Sequence, residues 1–107
     1  MVLAALILCA LPSSATAQTR QDMWSHYRAA ADVQAAVVAG DLDASRKAAA
    51  WLARHEEEGL PGEADAFAEE LRRAAARAAE ATTLVAAASA TGRIAAACGS
   101  CHRERRP

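Results

Sequence analysis

The sequence predicts an all-α fold, an antiparallel up-down-up-down four-helix bundle. Three observations predict it. From Thr19 onward apolar residues recur at spacings of three and four, the period of a helix, and no run alternates as a strand would. Glycine and proline, which punctuate helices, are confined to a few places, chiefly Gly40 and the stretch Gly59-Leu60-Pro61-Gly62. Residues that cap helices stand where periodic runs begin, Asp41 before Leu42 and Thr82-Thr83 before Leu84. Together these signals predict helices over residues 20–39, 42–58, 62–81 and 84–104. Short connections make sequential helices antiparallel neighbours.

The N-terminal segment stands apart from the bundle. Val2 to Leu11 is almost wholly apolar and too short to span a bilayer. Pro12-Ser13-Ser14 ends it, and Ala15-Thr16-Ala17 reads as a signal-peptidase site. Residues 1–17 are therefore expected to be a signal peptide, and residues 18–107 the four-helix domain. No Lys or Arg precedes the apolar run, a departure from the usual signal pattern, and a retained membrane anchor is the competing reading. Cys9 would leave with the signal, because Leu8 before it does not fit a lipoprotein cleavage box. All 12 Lys and Arg and all 13 Asp and Glu lie beyond residue 17, so the domain is close to neutral, with a formal charge of −1. Such a balance offers no polycationic surface for nucleic acid. A domain this small has a marginal core of its own.

Each helix carries an expected core stripe. On the first it is Met23, His26, Ala30, Val33 and Val37, with Trp24, Tyr27 and Val38 beside it. On the second it is Leu42, Ser45, Ala49 and Leu52, with Trp51 near the same face. His55 and Glu56-Glu57-Glu58 read as a polar end frayed into solvent, since carboxylates there oppose the helix dipole. On the third it is Ala64, Phe67, Leu71, Ala74, Ala75 and Ala78, with Glu69 and Glu70 facing Arg72, Arg73 and Arg77 on a solvated side. On the fourth it is Leu84, Ala87, Ala88, Thr91, Ile94, Ala95, Cys98, Cys101 and His102. Gly92 interrupts that helix at a cost of about 1 kcal/mol, which points to a close approach there or to a helix end. Arg103 to Arg106 places cations where the helix dipole favours them.

The fourth stripe ends in Cys98-Gly99-Ser100-Cys101-His102, a C-x-x-C-H sequence. This is the attachment signature of c-type haem. Two thiols add to the porphyrin vinyl groups as thioethers, and the following histidine becomes the proximal iron ligand. Residues at i, i+3 and i+4 of a helix share one face, so a single turn grips both ring edge and iron. Cys98, Cys101 and His102 are thus the expected attachment and ligand residues of one covalent haem c. Three competitors use the same residues: a dithiol redox pair, half of a zinc site, and a structural disulfide. The export signal favours haem, because haem is attached outside the bacterial inner membrane. The alanine-rich seam favours it too. Small side chains let a flat ring, on the order of 8 Å across its core, lie between helices that pack at 8–10 Å.

A haem iron has a second axial position. On the first helix His26 is the expected sixth ligand and Met23, one turn away, the alternative. The ordinary roles for the two are a satisfied core histidine and a gap-filling methionine. With neither on the iron, the site would stay open. No catalytic carboxylate pair or nucleophile–base set accompanies the motif, so an enzyme is not expected.

With C-x-x-C-H in its last helix, an export signal and an earlier helix facing the distal side, the chain resembles the class II cytochromes c, the cytochrome c′ and c556 group. Class I cytochromes c carry the motif near the N-terminus. The likeness spans residues 18–107 in architecture and rests on Cys98, Cys101 and His102 in specific residues. The chain is shorter than typical members. The resemblance implies a periplasmic monohaem protein that carries electrons among periplasmic redox proteins. In low-spin relatives a methionine of the first helix is the sixth ligand; counted from Gly40, that position falls near Trp24 rather than on Met23. In high-spin relatives the distal site is open and binds NO or CO, which is the alternative function. The resemblance also implies a homodimer. A helical interaction or zinc-binding module without haem is the alternative from another class. Arg103 to Arg106 could additionally pair with haem propionates or guide an acidic partner.

Overall fold

The computed structural model describes residues 14–55 and 65–104, with side chains described over 20–55 and 66–104. The described residues form four α-helices and no strand: α1, Ser14–Val38; α2, Leu42–Arg54; α3, Asp65–Glu80; and α4, Leu84–Glu104. The arrangement is compatible with a four-helix bundle. Residues 1–13, Glu56–Glu58, the Gly59–Gly62 break, Ala64 and Arg105-Arg106 lie outside the described residues.

The turn between α1 and α2 is built by two residues. Gly40 takes φ +75°, a left-handed conformation that a Cβ would strain. Its N–H donates to the carbonyl of Val37 at 3.0 Å, and the Asp41 N–H donates to that of Ala36 at 2.9 Å. This pair of bonds is a Schellman motif, which satisfies two carbonyls left over at the end of α1. Asp41 then caps α2, its Oδ1 accepting from the Ala44 N–H at 2.9 Å. Thr83 does the same for α4, with Oγ1 accepting from Ala86 N–H at 3.1 Å and its carbonyl from Ala87 N–H at 3.0 Å. At the end of α3, Arg46 of α2 reaches across and donates from Nε to the Ala79 carbonyl at 3.1 Å.

Contacts between ends fix the polarity. Gly40, after α1, lies beside Leu84 at the start of α4. Arg46, early in α2, meets Ala79, late in α3. His26, in the first half of α1, meets His55 at the end of α2. Sequential helices therefore run antiparallel. They also pack in chain order, α1 on α2, α2 on α3 and α3 on α4, with α1 and α4 more loosely opposed.

The core is small-residue packing around a few larger side chains. Val33, Leu52 and Ile94 are its largest fully buried apolar side chains, set among Ala49, Ala75, Ala78 and Ala87, which have no exposure. The seam of α4 departs from the expected stripe. Ala87, Ala90, Ile94 and Ala97 are buried, whereas Ala88 and Ala95 are exposed. Ala90 and Ala97 were not on the expected stripe. Gly92 has nothing within 4 Å of the position a Cβ would take, so close backbone approach does not explain it. α1 starts at Ser14, so its backbone runs helically through the expected cleavage site at Ala15-Thr16-Ala17.

Among the described residues one helix, α4, is long and apolar enough to cross a membrane by length and composition alone. Its apolar content is mostly alanine, and Arg93 lies in its middle. Arginine at a membrane-helix centre costs about 2.5–3.5 kcal/mol on insertion scales.

Candidate functional site

A cavity of about 380 Å³ opens between α1, α3 and α4, where α1 and α4 stand apart. Its volume falls in the range of small-molecule and cofactor sites, about 300–1,000 Å³. The wall from α4 carries Cys98, Cys101 and His102. Met23 and His26 of α1 line the same cavity, and Phe67 and Leu71 of α3 line it with Ile94 of α4. The expected attachment and ligand residues thus surround one space. The wall is mainly apolar. The Thr91 hydroxyl, one of its few polar groups, already donates to the Ala87 carbonyl at 2.8 Å.

The α4 seam divides at the cavity. Ala87 and Ala90 are buried off its lining, Ile94 and Ala97 are buried and line it, and Thr91, Ala95, Cys98, Cys101 and His102, on the predicted stripe, line it with more exposure. Cys98 and Cys101 are half-buried thiols, and His102 is exposed at the last turn of the helix. Helical spacing brings all three to one side of α4. Among the described residues, no three of His, Cys, Asp and Glu are gathered as a simple metal ion would need.

His26 is 5% exposed. Its ring centroid lies 5.1 Å from that of His55 at 88°, and 6.3 Å from that of Trp51 at 78°, both edge-on. His55 stacks on Trp51 at 4.5 Å with 15° between planes. Asp22, one turn before His26 on α1, is also 5% exposed and sets Oδ1 3.8 Å from His55 Nε2. That separation is an electrostatic contact, longer than a hydrogen bond. Burial, then the neighbouring His55, pushes the His26 pKa down to about 4; Asp22 opposes the shift and Arg72 adds to it. His26 is therefore a neutral imidazole at neutral pH, with a ring-nitrogen lone pair that a metal can use.

The expected frayed end at His55 is corrected here. Its side chain is 30% exposed, and it closes α2 as C-cap, its N–H donating to the Trp51 carbonyl at 3.0 Å. Trp51, expected near the core face of α2, is 40% exposed and borders His55 rather than the cavity. Sequence reasoning also passed over Asp22. A carboxylate four places before a core-face histidine was the signal available, since i and i+4 share a face.

A second aromatic feature lies outside the cavity's depth. Trp24 and Tyr27, 62% and 64% exposed, stack at 5.6 Å on α1. Tyr27 reaches the cavity rim.

Fold and site together define an all-helical protein whose apolar pocket is walled by two thiols and by imidazoles from opposite helices. In comparisons with known proteins, no family model, no curated protein and no solved structure matches the chain.

Proposed function

We propose that the chain is a periplasmic monohaem c-type cytochrome that passes electrons between redox proteins and is not an enzyme. The observation that carries this reading is a shared wall. The C-x-x-C-H residues of α4 and the two candidate distal ligands of α1 line the same apolar cavity.

The residues present suit haem c. Cys98 and Cys101 would hold it through thioethers, His102 would be the proximal ligand, and His26 or, alternatively, Met23 would face the other side. When bound, the group supplies one-electron chemistry between ferric and ferrous iron. The chain's own part is to hold and insulate. Phe67, Leu71 and Ile94 give the cavity apolar walls, and His26 is neutral at neutral pH, the form that binds iron. An imidazole on each side would leave no open position for a substrate, which favours a carrier over a catalyst. The apolar leader before Ala17 supports export, which attachment of haem c requires. The arginine within α4 and the cavity along its side support a bundle helix rather than a span after the leader is removed.

The test is expression of the full chain with a cytochrome c maturation system, followed by denaturation. Haem is expected to stay with the polypeptide, and Cys98→Ser with Cys101→Ser should release it. A chain that carries no haem, or that takes up zinc through the same cysteines, would overturn the proposal in favour of a helical module without haem.

A further inference from the structure

We propose that His26 is the distal axial ligand and that His55, backed by Trp51 and Asp22, is the residue that positions it. This inference rests on the proposed function, since it concerns the same cavity.

Asp22 and His26 are nearly sealed from solvent in a chain with few buried polar side chains among those described, and they lie one turn apart on α1. Burying such groups costs free energy that apolar residues of similar size would avoid. The cost falls at one place, the side of His26 facing α2. There His55 presses its ring edge-on to His26, Trp51 stacks under His55, and Asp22 stands 3.8 Å from His55 Nε2. A histidine that ligates metal is almost always set by groups behind it, which fix the ring's orientation and tautomer. His26 has the cavity on one side and this stack on the other.

Met23 offers no comparable arrangement. It is half-buried on the same cavity wall. A flexible thioether can fill a gap there without any support. The device thus joins α1 and α2 around one imidazole. His55 touches His26 and not the cavity, so it acts through the ligand and is a positioning residue.

The experiment uses the haem-loaded full chain and reads electron paramagnetic resonance of the ferric form and CO binding by the ferrous form. His26→Gly should convert a low-spin iron to high-spin and open it to CO, and added imidazole should restore the low-spin signal. Met23→Leu should change neither. His55→Ala should shift the low-spin g values and raise CO affinity about 10–100-fold, the range by which outer partners tune metal sites. His55→Gln and the isosteric Asp22→Asn should give smaller shifts in the same direction, which keeps the test decisive where His55→Ala folds poorly. Parent-like spectra and CO affinity in both His55→Gln and Asp22→Asn would overturn the positioning role. A low-spin, CO-indifferent His26→Gly, with Met23→Leu opening the iron, would overturn the ligand assignment while haem binding stands. A parent protein that is already high-spin and open to CO would also overturn it. A parent without haem would overturn this inference together with the proposed function.

Discussion

The two ends of the bundle are built on different principles. At the end holding Gly40, Asp41, Ala79 and Thr83, each helix terminus is satisfied by an identifiable bond: a Schellman turn, two side-chain caps and the Arg46 guanidinium on a carbonyl. The side chains nearby are small and tightly packed, with Ala78 and Ala87 at no exposure. At the other end stand a 380 Å³ cavity, a buried carboxylate and two histidines that meet edge-on, one of them stacked on a tryptophan. The first end uses the ordinary means of stability. The second leaves apolar surface unpacked and buries polar groups, both of which cost stability. Where a small bundle accepts such costs, the region is arranged for something other than folding alone. The motif C-x-x-C-H lies at the second end.

The largest expected effects sharpen this contrast. Leu52 is 1% exposed and lies away from the cavity. Leu52→Ala should cost about 2–5 kcal/mol in urea unfolding, the usual range for a buried leucine. Ala95→Leu, at the cavity wall, should cost far less in the haem-free chain while impeding haem loading. Equal losses in both variants would erase the distinction between packed and open regions.

The second effect is on pH dependence. In the haem-free chain the His26 pKa is lowered from 6.5 to about 4 on folding, first by burial and then by His55. Above pH 6.5 the ring is neutral in both states, and its contribution is constant. As pH falls from 6.5 toward 4, the unfolded chain takes up a proton that the folded chain refuses. Stability should therefore fall across that window by about 3 kcal/mol in all. Urea midpoints measured from pH 7.5 to 4 should show the decline, and His26→Leu should flatten it. An unchanged slope in that variant would place the titration elsewhere.

Smaller effects probe the capped end. Gly40→Ala should cost about 1–2 kcal/mol by thermal melting, through the left-handed backbone. A Cβ there would meet only Leu84 Cδ1 at 3.9 Å, an ordinary contact, so sterics add little. The exposed Arg73–Glu69 pair, 3.8 Å apart, should contribute a few tenths of a kcal/mol and vanish in high salt.

Local chemistry made the capped end legible in sequence. Gly40, Asp41 and Thr83 announce turns and caps without reference to other helices, and α2 and α4 begin where these residues say. The motif end was legible only in part. Cys98, Cys101, His102, Met23 and His26 could be picked out by type and spacing. Periodicity alone could not separate the side of α4 that packs on α3 from the side that borders a cavity, because both carry alanine. His55 and Trp51 were harder still. Their partner is His26 on a neighbouring helix, and which residues meet across helices depends on crossing angle and depth, which no single helix encodes.

The most direct measurement of the central claim is an absorption spectrum of the matured protein, oxidised and reduced, with and without CO. The account predicts haem bands that persist with the polypeptide on denaturation and a sharp reduced spectrum indifferent to CO. A reduced band that shifts with CO would contradict the six-coordinate carrier and favour an open, gas-binding iron. A spectrum without haem bands would contradict the account at its root.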